Sequence, residues 1–286
     1  MAELASADVA EATVSSRWRA ALKLRYERAA ARTVLAERSH FGPLVVQKSL
    51  YPEGDAVCQN IIVHPPAGIV GGDTLRIDVA VGAGSHAQLT TPGAAKWYRS
   101  AGASARQEIE LQAEEGATLE WLPQEAIVFD GADAQMSTHI QLTGDAVYIG
   151  WDLVCLGRAA AGERFASGNL RQCTVLRRDG APAFIERATL VGGGALMDSP
   201  VGLKGCDIFG TFLAAAISVP AVVLGACREV APDVGEGAVT SMRGCLIARY
   251  RGTSAEAGRA YFAELWHRVR PALTGRDAVV PRIWNT

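Results

Sequence analysis

No phosphate loop of the form G-x-x-x-x-G-K-[ST] occurs in the 286-residue chain, and no G-x-G-x-x-G opens a helix after a strand. Nucleotide binding therefore has neither of its common cradles. H-E-x-x-H, zinc-finger spacing and the G-x-S-x-G nucleophile elbow are equally absent. The five histidines, at positions 40, 64, 86, 139 and 267, are scattered without helical ligand spacing. Neither sign of charge dominates: 28 basic against 30 acidic residues leave a net charge of −2. That balance argues against nucleic acid or an anionic membrane as the main partner. The opening MAELASADVAEATVSS has no apolar run, so it is no secretory signal and reads as a disordered lead-in over residues 1–16. Cys58, Cys155, Cys173, Cys206, Cys227 and Cys245 form no C-x-x-C pair. Without an export signal they read as reduced, small buried hydrophobes in a cytoplasmic protein.

What is present is apolar material and short alternation. Hydrophobic residues make up 49% of the chain and charged residues 20%, enough for a substantial core. Trp18, Ala20, Leu22, Leu24 and Tyr26 alternate with polar neighbours, as do Leu75, Ile77, Val79 and Val81, and each set predicts a half-buried strand. Further strands are expected from Thr33 and over 44–50, 87–91, 106–113, 118–122, 138–142, 147–156, 170–177 and 184–190. Glycine and proline turns fall between them. The fold class expected is mainly β, with many short strands in stacked or wrapped antiparallel sheets. Helices are expected only late: one opening near Pro220, and one after a Thr253–Glu256 capping box, with Pro271 just past its end. Gly192–Gly194 reads as a loop without a helix start. The uncharged run Ile208–Cys227 is long enough for a bilayer, but Pro220 divides it into a strand and a helix. With no linker and no repeat, residues 17–286 read as one domain.

Three acids look misplaced. Asp152 sits in Tyr148-Ile149-Gly150-Trp151-Asp152-Leu153-Val154, Glu186 follows Phe184-Ile185, and Asp73 closes Ile69-Val70-Gly71-Gly72. A carboxylate in apolar surroundings is costly unless paired, hydrogen-bonded or beside a cavity. Two readings stand side by side. One is a set of buried ion pairs with Arg158, Arg164 or Arg187; the other is a hydrated passage suited to a divalent cation. A β-helical glycosidase or lyase using Asp130 and Asp152 is a remote third reading.

Long segments then become recognisable in order. They are Gly42-Pro43-Leu44 with Gln47-Lys48 and Leu50-Tyr51-Pro52-Glu53-Gly54, then Val63-His64-Pro65-Pro66 with Gly68-Ile69-Val70-Gly71-Gly72-Asp73. Leu89-Thr90-Thr91-Pro92-Gly93-Ala94-Ala95-Lys96-Trp97-Tyr98-Arg99-Ser100 and Leu119-Glu120-Trp121-Leu122-Pro123-Gln124-Glu125 follow. Trp151-Asp152, Cys155-Leu156-Gly157-Arg158, Leu273-Thr274-Gly275-Arg276 and Pro281-Arg282-Ile283-Trp284 complete the set. Together they resemble the urease accessory protein UreD family, also called UreH, from Trp18 to Thr286.

The resemblance implies a non-enzymatic chaperone of nickel insertion that binds apo-urease. It would act with a UreF-type scaffold and a UreG-type GTPase, with no nucleic acid and no membrane as partner. It also implies a helix-like wrapping of strands with two α-helices in the C-terminal third, and an internal route for nickel. No tightly bound cofactor is expected, only Ni²⁺ in transit. A conduit needs weak ligands in series, so Asp73, Asp152 and Glu186 are the leading metal-passage residues, followed by Glu163 and His64. The competing reading is a metal-free scaffold that bridges urease to its accessory proteins. Two positions depart from the family pattern. Gln59 stands after Cys58 where many relatives have histidine, which puts a Cys–His metal site in doubt, and Ala67 replaces a usual glycine.

Overall fold

The computed structural model describes residues 18–66 and 68–285. The lead-in expected over 1–16, and Ala67, lie outside the described residues. The chain enters β1 (Arg19–Ala29) and doubles back as β2 (Arg32–Phe41). There follow β3 (Val45–Val46), β4 (Val57–Val63), β5 (Thr74–Val81), β6 (His86–Thr90), β7 (Ala95–Trp97), β8 (Ala105–Ala113) and β9 (Thr118–Leu122). Next come β10 (Ala126–Val128), β11 (Asp133–Leu142), β12 (Val147–Leu156), β13 (Asn169–Arg178) and β14 (Ala181–Val191). The last third adds α1 (Ala195–Asp198), β15 (Ile208–Ala215), α2 (Ala221–Arg228), β16 (Glu236–Met242), β17 (Cys245–Gly252) and α3 (Ala255–Thr274).

From β4 to β13 the strands of successive coils divide between two facing sheets, after which β14 returns beside β13, and β15, β17 and β16 extend the other sheet from β12. One runs β14-β13-β11-β8-β5-β1-β2; the other runs β16-β17-β15-β12-β9-β6-β4-β3, with β7 and β10 joined beside β12. Each coil gives one strand to each sheet, so neighbours from successive coils run parallel: β5 with β8, β8 with β11, β6 with β9 and β9 with β12. The expected antiparallel pairing holds only at the margins, in β1–β2, β3–β4, β13–β14 and β12-β15-β17-β16. Glycine turns mark where a strand ends, but not whether the next one returns beside it or crosses to the facing sheet.

The alternation read in β1 and β5 closes the space between the sheets. Leu22, Leu24, Tyr26, Ile77 and Val79 are buried there with Cys58, Leu89, Leu119 and Val154 from the opposite sheet. The other face of the larger sheet is covered by α3, whose Tyr261, Phe262, Leu265, Trp266 and Val269 pack on Ile149, Trp151, Leu153 and Phe212. Each such side chain taken from water contributes about 1.5–3 kcal/mol. The helix axis approaches closely because Gly210 and Gly258 lack side chains. A Cβ on Gly258 would stand 2.8 Å from the Tyr250 ring.

Several local expectations change. The strand expected over 44–50 shrinks to the two residues of β3, and that over 138–142 lengthens to Asp133–Leu142. β4 is buried on both faces, so it shows no alternation to read. Gly194 does open a helix, the single turn α1. The uncharged run resolves into β15 and α2, with Pro220 as the N-cap of α2. No helix among the described residues is long and apolar enough to cross a membrane. The N-cap of α3 is Ser254, whose Oγ accepts the Ala257 N–H at 3.1 Å, and Thr253 lies outside it. Pro271 sits inside the last turn of α3 rather than beyond it. That turn is completed by the Thr274 hydroxyl on the Arg270 carbonyl and closed by Gly275 in the left-handed region, φ 68°.

Candidate functional site: a polar seam between the sheets

A cavity of about 310 Å³ lies between the two sheets. Its walls are mostly apolar, from Ile62, Leu75, Ile109, Trp121, Phe184 and Leu213, but polar groups cluster along one side. Strand register explains the cluster, because paired residues of neighbouring strands project from the same face. In the larger sheet Asp152 (β12) pairs with Thr211 (β15), which pairs with Arg249 (β17). In the smaller sheet Thr138 (β11) pairs with Thr174 (β13), which pairs with Glu186 (β14). The two rows face each other as a seam of hydroxyls and carboxylates. Gly150, on β12, keeps the floor open: a Cβ there would stand 2.3 Å from the Tyr148 hydroxyl.

Asp152 and Glu186 both line this cavity, and so does half-buried His64. Asp152 accepts a long 3.3 Å bond from the Thr211 backbone N–H and a bond from the Gln172 side chain, and has no ion pair among the described residues. Burial, reinforced by the charge of Glu186, pushes its carboxyl up to about 7. A hydrogen bond from Gln172, the Thr211 amide and the field of Arg249 offset this only in part. Glu186 is paired with Arg249, not with the arginines expected from sequence neighbourhood. Burial lowers the pKa of His64, and the charge of Asp73 partly opposes this.

Asp73 and Glu163 lie elsewhere. The Asp73 carboxylate accepts the backbone N–H groups of Trp18 at 3.2 Å and Val70 at 3.0 Å, fastening the start of β1 to the turn before β5. Glu163 holds Arg158 at 3.0 Å through Nε and accepts the Asp130 N–H at 3.0 Å. That arrangement keeps its carboxyl below the usual range, chiefly through the Arg158 bond. Asp130 is held by the amides of Ala166 and Ser167 and does not line the cavity that Asp152 faces, so the two form no acid–base pair across it. Among the described residues no three or more His, Cys, Asp or Glu side chains gather closely enough to hold a metal.

Cys58 and Gln59 point to opposite faces of β4, as successive strand residues must. Cys58 belongs to the core between the sheets, whereas Gln59 bonds to Gln88 in the layer beneath the C-terminal segment. No side chain at position 59 shares a metal with Cys58. The same layer holds a charged network that the sequence reading passed over. Glu120, fully buried, accepts from His86 Nε2 at 2.5 Å, Trp266 Nε1 at 2.7 Å and Arg270 Nε at 3.0 Å. Arg270, also fully buried, reaches Glu53 at 2.7 Å. The signal was available: Glu120 stands between Leu119 and Trp121, as isolated as Asp152.

The residues matched by the model of "UreD urease accessory protein" run from 19 to 285, nearly the whole described chain. The chain belongs to the UreD family. Among its relatives, a urease accessory protein UreD from Azoarcus sp. is 56% identical over 269 residues, covering 94% of each chain. One from Dechloromonas aromatica is 54% identical over 276 residues, 95% of this chain and 96% of its own. One from Pseudomonas aeruginosa is 51% identical over 270 residues, 94% and 95%. The seam combines the Asp152 carboxyl, which has no ion pair among the described residues, with a second carboxylate, Glu186, across the gap.

Proposed function

We propose that this protein is a urease maturation chaperone whose inter-sheet cavity passes Ni²⁺ towards the active site of apo-urease. Family membership supports the role in urease maturation. The finer reading is carried by one observation, that Asp152 and Glu186 face the same cavity from opposite sheets. Two carboxylates, the Thr138, Thr174 and Thr211 hydroxyls and Gln172 offer hard oxygen ligands without a closed cage. Such ligands admit a divalent cation and let it leave. His64 stands on the same cavity; Asp73 and Glu163 serve the frame around it. The chain works in the cytoplasm beside a UreF-type scaffold and a UreG-type GTPase. It supplies no catalysis of its own and leaves nucleotide hydrolysis to that partner, in keeping with a sequence that has no phosphate loop.

The test separates docking from transfer. Asp152→Ala and Glu186→Ala, each co-expressed with urease and the other accessory proteins, should leave the complex on urease intact. The nickel content and activity of urease should fall together, and excess nickel should restore part of both. Loss of the complex along with activation would favour the metal-free scaffold. Normal activation in both variants would remove the passage.

A further inference from the structure

Arg249 stands at the end of the seam, on β17. Its register partner is Thr211, and through Thr211 it shares a row and a face with Asp152. Its guanidinium pairs with Glu186 across the gap between the sheets. It does not itself line the cavity, and its side chain is 59% exposed against 19% for Glu186. Arg249 therefore meets Glu186 from the solvent side and neutralises a carboxylate that lines the cavity.

We propose that Arg249 is a displaceable plug, the internal counter-cation that a divalent ion must exchange for Glu186 at this end of the passage. The inference rests on the cation-passage reading and adds a controlling residue to it. The chemistry is competition for the same oxygens. A guanidinium neutralises a carboxylate through charge-assisted hydrogen bonds, and its positive charge repels a cation approaching the same oxygens, so the two compete for one carboxylate. The exchange is mechanically simple. Arg249 lies on a long, flexible stem that reaches water, and an ion pair this exposed holds weakly. When the guanidinium swings out, Glu186 faces Asp152 without a counter-charge, and a divalent cation is the partner that relieves the repulsion between the two carboxyl groups. When no cation is present, Arg249 returns and spares the seam that repulsion. The site is thus closed by a monovalent group of the protein and opened by its divalent cargo.

The experiment is titration of the purified chain with Ni²⁺ by calorimetry, with folding checked by circular dichroism and thermal melting. Arg249→Gln should bind Ni²⁺ about tenfold more tightly than the parent, since one positive charge near the ion has been removed. Arg249→Met, which keeps the stem, should behave alike and guards against a packing defect in the first variant. Glu186→Gln should lose the site, and adding Glu186→Gln to Arg249→Gln should cancel the gain. Arg171→Gln, an exposed arginine paired with Asp133 away from the cavity, should bind as the parent does. Unchanged or weaker binding in both folded Arg249 variants overturns the plug. If Glu186→Gln still lowers the nickel content of co-expressed urease in that case, the passage stands and only its control falls. A folded Glu186→Gln that changes neither Ni²⁺ binding nor urease nickel removes the passage and the plug together.

Discussion

At the scale of single residues, the carboxyl groups of Asp152 and Glu120 have opposite fates. Asp152 has no ion pair among the described residues and its carboxyl rises to about 7. Glu120 is buried completely, and burial alone would raise it too. The hydrogen bond and field of His86, together with Arg270, outweigh that and hold it at about 2. The difference is one of purpose: Asp152 faces space and Glu120 faces donors on every side. Because the folded Glu120 carboxyl lies below its unfolded value, its stabilisation is fully present above the ordinary glutamate range. It is lost as pH falls from there through about 2. Glu120→Gln leaves buried Arg270 with Glu53 but without the Glu120 charge, and should cost no more than about 3–5 kcal/mol near neutral pH, the range for a buried pair broken outright. The melting temperatures of parent and variant, followed from pH 7 to pH 2, should converge at the acid end. A gap that stays constant with pH would show that Glu120 is not ionised in the folded chain.

At the scale of elements, α3 decides whether the larger sheet has a covered face. Its apolar stripe was legible from Tyr261, Phe262, Leu265, Trp266 and Val269. What the stripe could not reveal is how closely the helix lies. That distance is set by Gly258 on the helix and Gly210 on β15, where a Cβ would stand 2.3 Å from the Asp152 carbonyl and 3.0 Å from the Phe262 ring. Gly210→Ala should therefore push β12 and α3 apart and destabilise the chain by about 1–3 kcal/mol, the usual cost of overpacking. Denaturant unfolding measures it, and an unchanged midpoint would mean that the strand relaxes without loss. Since the clash includes the Asp152 backbone, the same variant should also disturb the cavity on the other side of β12.

At the scale of the whole molecule, the C-terminal segment binds distant parts of the coil together. The Trp284 indole N–H donates to the Thr90 hydroxyl at 2.7 Å, and its ring lies 5.7 Å from that of Trp151 and 6.0 Å from that of Trp266. Arg270 also donates to the Asp277 carbonyl, fixing the path of the chain after α3. Deleting residues 279–286 should uncover Trp151 and cost about 1–3 kcal/mol of burial, read as a lower melting temperature and a red-shifted tryptophan emission. Emission and melting indistinguishable from those of the full chain would show that the tail contributes nothing to the packing.

The sequence by itself determined that the chain is β-rich, that its helices come late, that Pro220 interrupts the apolar run, and that Asp152 and Glu186 are out of place. Each of these is local: period, turn residues and the cost of a charge among apolar neighbours are written within a few positions. Its ordered motifs also determined the family. Tertiary structure alone decided that the strands of successive coils divide between two sheets and pair in parallel with those of the next coil, because a turn does not encode which sheet receives the next strand. It alone separated Asp73 and Glu163 from the cavity while bringing Asp152, Thr211, Glu186 and Arg249 into one seam. Those four residues span nearly a hundred positions, and only the register of β12, β15 and β17 against β13 and β14 sets which side chains meet.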